Sequence, residues 1–181
     1  MYNTSTMEKI GADFYLQDAL EAAKAICGKI LCVRQKDGTV LRRRITETEC
    51  YRGEEDTACH AHKGRTARTE VMYRQGGVAY VYLCYGIHNM LNIVTGPRDF
   101  PQAVLIRAVE GLSGPGILTR GMGIDRHFNG LSFLDSGLIW LETDAFAPAL
   151  MATPRIGIQY ASEEDQARLW RFLINQAVIV V

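Results

Sequence analysis

The stretch Ile45-Thr-Glu-Thr-Glu-Cys-Tyr51 constrains this chain more than any other, because it reads as a β-strand yet carries two carboxylates. A strand turns successive side chains to opposite faces, so the alternation predicts Ile45, Glu47, Glu49 and Tyr51 on one face and Thr46, Thr48 and Cys50 on the other. Acidic residues form strands poorly and are rarely buried without a partner, so this pair calls for a cause. One cause is a solvated edge strand whose glutamates meet arginines; the other is a catalytic carboxylate held on a rigid strand. The residues after Tyr51 favour the second. Arg52 to His62 brings His60 and His62 close behind the strand, Lys63 to Arg74 adds a basic run containing a glycine, and Tyr80-Val-Tyr-Leu-Cys-Tyr-Gly86 reads as a second strand rich in tyrosine.

At 181 residues, 48% of them apolar, the chain is long enough for a substantial core, and it reads as one domain over 1–181. Lys plus Arg equals Asp plus Glu at 20 each, which excludes a large unbroken basic surface but leaves room for a local basic strip. Five cysteines without regular spacing, and no secretory leader, predict reduced thiols in the cytoplasm. No apolar run is long enough to span a membrane.

Taken in order, Met1 to Gly11 reads as a loose N-terminal arm. Asp18-Ala-Leu-Glu21 predicts a helix start, and the helix runs from Asp18 to Cys27, closed by Gly28. Ile30–Val33 is a short buried strand; Lys36-Asp-Gly-Thr39 carries the Asp-Gly signal of a hairpin leading into the strand that ends at Tyr51. Asn89–Val94 and Gln102–Glu110 are two further strands, and Gly114-Pro-Gly116 opens a short helix through Met122. Leu138–Leu141 and Arg155–Ile158 are weaker strands, Ser162–Asp165 caps a last helical turn, and Leu169–Ile174 fits either helix or strand. The fold class is α+β: a single mixed domain on largely antiparallel, hairpin-linked strands.

The chemistry narrows in the same way. Cys59, His60 and His62 with Glu49 could suggest a metal, but Cys-His-x-His lacks the paired ligand spacing of structural zinc, so no metal and no cofactor is expected. Glu47 and Glu49 could be a glycosidase pair, but neighbours on one strand do not flank a scissile bond, and one of them working on a water is the more economical reading. Tyr80 and Tyr82 share a face and Tyr51 follows Glu49; such rings either belong to the core or sandwich a flat, preferably cationic, base. Tyr85, at the strand end before Gly86, is placed to stand out as a wedge between base pairs.

Together these motifs resemble the alkyladenine (3-methyladenine) DNA glycosylase family. The resemblance rests on Ile-Thr-Glu-Thr-Glu-Cys-Tyr, Glu-Asp-x-x-x-His, Gly-Arg-Thr-x-Arg-Thr-Glu-Val-Met-Tyr, Tyr-Val-Tyr-x-x-Tyr-Gly-x-His, Val-Leu-Ile-Arg-Ala and Gly-Pro-Gly-x-Leu-Thr in that order. It runs from the first helix to Arg155-Ile-Gly-Ile158, and the length is similar to the bacterial members. It implies a curved antiparallel sheet with flanking helices, with Glu49 as the general base that activates water at the sugar C1′. Arg107 helps hold that water and a backbone carbonyl near Ile156 completes its shell. By the same resemblance Tyr51, His60 and Tyr82 line a flipped-base pocket, Asn92 discriminates purines at its edge, Tyr85 fills the gap in the duplex, and Arg65, Thr66 and Arg68 meet phosphates. Two departures stand out. His88, also on the DNA side, replaces a tyrosine of vertebrate members, and the chain after Ala161 keeps only Trp170-Arg-Phe172 of the usual ending.

An alkylated purine carries positive charge and leaves readily, so one positioned base between aromatic walls suffices without a strong acid. Lys63 is the only lysine in the motif cluster, which argues against a Schiff-base lyase. The expected activity is that of a monofunctional glycosylase starting base excision repair, a monomer on damaged double-stranded DNA in the bacterial nucleoid, with no membrane partner. Two other classes compete with it. A non-catalytic nucleic-acid binding module explains the tyrosines and arginines but has no use for a carboxylate facing an anionic ligand; a metal-dependent hydrolase would use Cys59, His60 and His62.

Overall fold

The computed structural model describes residues 7–175. Among them the strands are β1 (Glu8–Lys9), β2 (Ile30–Arg34), β3 (Val40–Arg52), β4 (Val78–Cys84), β5 (His88–Val94), β6 (Gln102–Val109), β7 (Leu112–Ser113), β8 (Ile139–Thr143), β9 (Leu150–Thr153) and β10 (Arg171–Ile174). The helices are α1 (Ala19–Ile26), α2 (Pro115–Met122) and α3 (Glu163–Ala167). Every pairing is antiparallel, in the order β1-β8-β2-β3-β6-β5-β4, with β10 on β3 and β9 on β10, so the architecture is α+β around one open sheet. No helix of the described residues is long and apolar enough to cross a membrane.

β3 is shared by the two halves of the sheet: Val40–Arg44 pair with β2, while its second half lies between β6 and β10. On one face of that second half sits the core. Asp18 caps α1 by accepting from Leu20 N–H, and Ala22, Ala23 and Ile26 bury against β3 and β6 with Cys50, Val104 and Ile106. Thr48 Oγ1 donates to the Ala23 carbonyl at 2.8 Å, so even the polar residue on this face is satisfied. The opposite face is left for Glu47, Glu49 and Tyr51.

The expected alternation breaks at one place. Between β3 and β6 the register slips twice, leaving Thr46 on β3 and Arg107 on β6 without a partner opposite. The extra residues invert both strands, so Ile45 and Val109 enter the core instead of sharing a face with Glu49 and Arg107. Burying Ile45 contributes on the order of 1.5–3 kcal/mol, which local alternation alone would have forfeited.

Two further expectations change, and one left open is decided. The N-terminal arm is anchored: β1 pairs with β8, and buried Ile10 donates its N–H to the Leu141 carbonyl, while residues 1–6 lie outside the described residues. Arg155–Ile158 is a loop, because the Ile156 N–H is spent on a side chain and Gly157 takes a positive φ of 77°; the strand lies earlier, at Leu150–Thr153. Within Leu169–Ile174 it is a strand, Arg171–Ile174, that forms, and it fills the edge of β3 beside the carboxylates.

Candidate active site

β3 places Glu49 behind the wall of a cavity of about 580 Å³, lined by its partners Tyr51, Arg107 and Ile156 and among others by His60, Arg68, Tyr82 and Asn92. The Glu49 side chain is fully buried, and its carboxylate accepts from three donors: the Ile156 N–H at 2.8 Å on Oε1, the Tyr51 hydroxyl at 2.8 Å on Oε2, and Arg107 Nη1 at 3.4 Å on Oε2. A carboxylate offers about four acceptor positions, so one direction, on Oε1, is uncommitted. Burial raises the Glu49 pKa, and the nearby Arg107 charge, the Ile156 N–H and the Tyr51 hydroxyl only partly offset it. Glu49 is a carboxylate made more basic than usual, held rigidly beside a ligand-sized space.

Its neighbours are held with equal care. Glu47 lies beyond Arg107 and accepts from Arg107 Nε at 2.8 Å and Arg171 Nε at 2.6 Å. Tyr51 is backed by Arg155, whose guanidinium lies 4.9 Å from the Tyr51 ring and 5.0 Å from the Trp170 ring. Arg155 and Asp56, both fully buried, form a two-pronged pair at 2.6 and 2.9 Å, and Arg155 also donates to the Cys50 carbonyl at 2.9 Å. Truncating one partner of such a pair costs about 3–5 kcal/mol by stranding the other charge. Arg155 thereby anchors the loop whose next residue, Ile156, reaches Glu49 through its N–H.

The far wall is aromatic. His60 meets Tyr82 edge-on at 4.5 Å, and Tyr80 and Tyr82 lie 5.4 Å apart. Burial, with the Arg68 charge adding to it, pulls the His60 pKa down to about 4, so its imidazole is neutral at physiological pH. The Tyr80 hydroxyl lies 3.0 Å from His60 Nδ1, and burial raises the hydroxyl's pKa while the nearby Arg68 charge opposes that. Asn92 spends its amide nitrogen on the Tyr80 carbonyl at 3.1 Å and the Met90 carbonyl at 3.4 Å, so what it can offer the cavity is an oxygen.

The remaining residues singled out in the sequence lie around the rim. Tyr85 is 90% exposed at the tip of the β4–β5 hairpin and also borders the cavity. His88 faces a separate groove of about 1000 Å³ with Arg34, Lys36 and Arg120. Arg65 is tied to Glu70 and Asp99, Thr66 bonds with Thr69, and Arg68 stands in the cavity wall, 5.4 Å over the Tyr82 ring. Cys59, His60 and His62 diverge: the thiol is buried in the core, His60 meets Tyr80, and His62 Nδ1 meets the Glu54 carbonyl at 2.7 Å. Among the described residues, no three His, Cys, Asp or Glu side chains are grouped to hold a metal ion. Sequence reasoning missed Arg155, the Tyr80 hydroxyl as the partner of His60, and Arg171; Trp170-Arg-Phe172 was the signal available for the last.

The family model for methylpurine-DNA glycosylase matches residues 13–113 and 110–178, and so covers every residue of this site. A protein of Psychrobacter cryohalolentis, provisionally named a 3-methyladenine DNA glycosylase, is 46% identical over 173 residues, 80% of this chain and 82% of its own length. Proteins of the same provisional name from Methanocella arvoryzae and Borreliella burgdorferi are 44% identical over 186 residues (92% of each chain) and 42% identical over 175 residues (90% of this chain and 94% of theirs). Likeness of that extent, across β3, β6 and β10 alike, leaves one conclusion: the chain belongs to the methylpurine-DNA glycosylase family.

Proposed function

We propose that this protein removes alkylated purines of the 3-methyladenine type from duplex DNA by hydrolysis at the sugar C1′, with Glu49 as the base. A water oxygen bonds to C1′ while the C1′–N bond breaks and its electron pair leaves on the purine; the cationic base departs neutral and the proton of the water passes to Glu49. The observation that carries this reading is the Glu49 carboxylate itself, buried and hydrogen-bonded by three donors whose residues line a cavity walled by tyrosines. A non-catalytic binder would gain nothing from burying a charge there, at a cost that paired groups only partly offset.

The walls suit the leaving group. Rings of Tyr51 and Tyr82 stack on a flipped purine, and Asn92 presents an acceptor that distinguishes purines by their edge groups. Among the described residues, none lining the cavity is a lysine, which favours simple hydrolysis over a Schiff base. All these groups come from one chain, so a monomer suffices, and the scheme calls on no metal or cofactor.

Glu49→Gln keeps the shape of the site but cannot take a proton from water. Single-turnover base release from a duplex bearing 3-methyladenine should fall by roughly 10²–10⁴-fold, with affinity for the lesion duplex almost unchanged. An active Glu49→Gln beside a dead Glu47→Gln would show that the wrong carboxylate has been chosen.

A further inference from the structure

Arg107 carries a fork of donors matched to a carboxylate, and Glu49 is the carboxylate within its reach. Left to that pair alone, the fork would close on both Glu49 oxygens, cover the direction a water needs, and depress the basicity the reaction relies on. The structure shows a different arrangement. Arg107 turns its Nε to Glu47 at 2.8 Å and leaves Glu49 a single long contact of 3.4 Å from Nη1. Glu47 is in turn held by Arg171 Nε at 2.6 Å, and Arg171 is braced by Thr153 Oγ1 at 3.2 Å from β9. Arg171 sits opposite Glu49 in the β10–β3 pairing, so the contact is built into the sheet.

Resting on the reading of Glu49 as the base, we infer that Glu47 and Arg171 are positioning residues: Arg171 holds Glu47, and Glu47 draws Arg107 off Glu49 into a single long contact. The four charges alternate in sign along the chain of contacts and sum to zero.

The groups facing Glu49 are few. Glu47 and Tyr51 share its strand, Arg107 comes from β6 and Arg171 from β10, the Ile156 N–H from the loop after β9, Tyr160 from the cavity wall, and the Arg155–Asp56 pair stands behind Tyr51. Removing one member of the alternating four should therefore move the acidic limb of the pH–rate profile in a direction set by its sign. Glu47→Gln removes a negative charge and frees Arg107 to close on Glu49, so the limb should move to lower pH by on the order of one unit, with a lower plateau. Arg171→Gln removes a positive charge and should move it to higher pH, Arg171→Lys should restore it, and the double variant Glu47→Gln/Arg171→Gln should return it near the wild-type position.

The experiment is single-turnover base release from a 3-methyladenine duplex across pH 4–9 for wild type and these variants, alongside Glu49→Gln. Opposite shifts for the two single variants support the inference. No shift, or shifts in the same direction, with Glu49→Gln inactive overturns it while leaving the base intact. Should Glu47→Gln fail to fold, Arg171→Gln and Arg171→Lys decide the matter alone, since a merely structural role predicts no charge-dependent shift. If Glu49→Gln keeps the acidic limb, the reading of Glu49 as the base fails first.

Discussion

Arg65 and Arg68 are three residues apart and in different circumstances. Arg65 is half-exposed and clasped by Glu70 at 2.7 and 2.8 Å and by Asp99 at 2.9 Å; exposed pairs of this kind are worth at most about 1 kcal/mol, so a phosphate can replace one partner. Arg68 stands in the cavity wall over the Tyr82 ring. Arg65→Ala should weaken binding to damaged and undamaged duplex alike and lower the slope of log affinity against log salt by about one unit; Arg68→Ala should weaken chiefly the lesion complex. Salt titrations of both duplexes decide it, and an equal loss on both from Arg68→Ala would return that residue to the backbone. Glu49 has a stability signature as well. Its folded pKa is raised, so its contribution is present below the unfolded carboxylate pKa and is lost as pH rises through the folded value; the ionised group costs stability at neutral pH. Glu49→Gln should accordingly melt higher than wild type at pH 7, with the gap narrowing toward pH 4. At this scale the motifs singled out Glu49, Tyr51 and His60 and the resemblance added Asn92 and Arg107; the structure carries them on β3, β5, β6 and the segment after β3, with Tyr51 and Arg107 bonded to Glu49. Arg171 escaped notice because it meets Glu47 across 124 residues of sequence, a separation no local pattern spans.

The β4–β5 hairpin turns through Tyr85 and Gly86, both at positive φ (51° and 73°), with Ile87 N–H donating to the Cys84 carbonyl at 3.2 Å. Two central residues of this kind give the φ signature of a type I′ turn, which favours Asn-Gly and disfavours a bulky first residue. A tyrosine held there and 90% exposed, beside Ile87 at 72%, has the placement that the expected wedge requires. Tyr85→Asn should stabilise the fold by about 1 kcal/mol, and Tyr85→Ser, which loses the same ring, should flip bases poorly from paired duplex and less poorly from a mismatch. Thermal unfolding and a fluorescent base at the lesion read the two effects; equal flipping by wild type and Tyr85→Ser removes the wedge. Strand alternation served well for Glu47, Glu49 and Tyr51 and misplaced Ile45, because the two register slips at Thr46 and Arg107 leave no mark in composition. The Arg155–Ile158 loop misled in the same way: its β-branched residues look strand-like, but Arg155 is committed to Asp56 and the Ile156 N–H to Glu49, so no ladder forms.

Across the whole molecule, hairpin-linked neighbours such as β2–β3 and β4–β5 were legible, since turn residues lie between them. The return of β10 to β3 was not, because it depends on which edge remains open once β2 and β6 have paired. That return completes the site: β10 supplies Arg171 to Glu47, and the residue before it, Trp170, supplies the ring behind Arg155 and a carbonyl that accepts from Cys50 N–H at 2.8 Å. A chain stopped after Ala161 should therefore exchange its Thr48 and Cys50 amide protons quickly and release no bases, even though every residue of the cavity wall is present; retained base release would show that β10 is dispensable. During synthesis the same dependence sets an order of events. Until residues 171–174 have left the ribosome, Glu47 has only Arg107 and one edge of β3 stands open beside Glu49, so the charge arrangement around that carboxylate is assembled only after β10 has emerged.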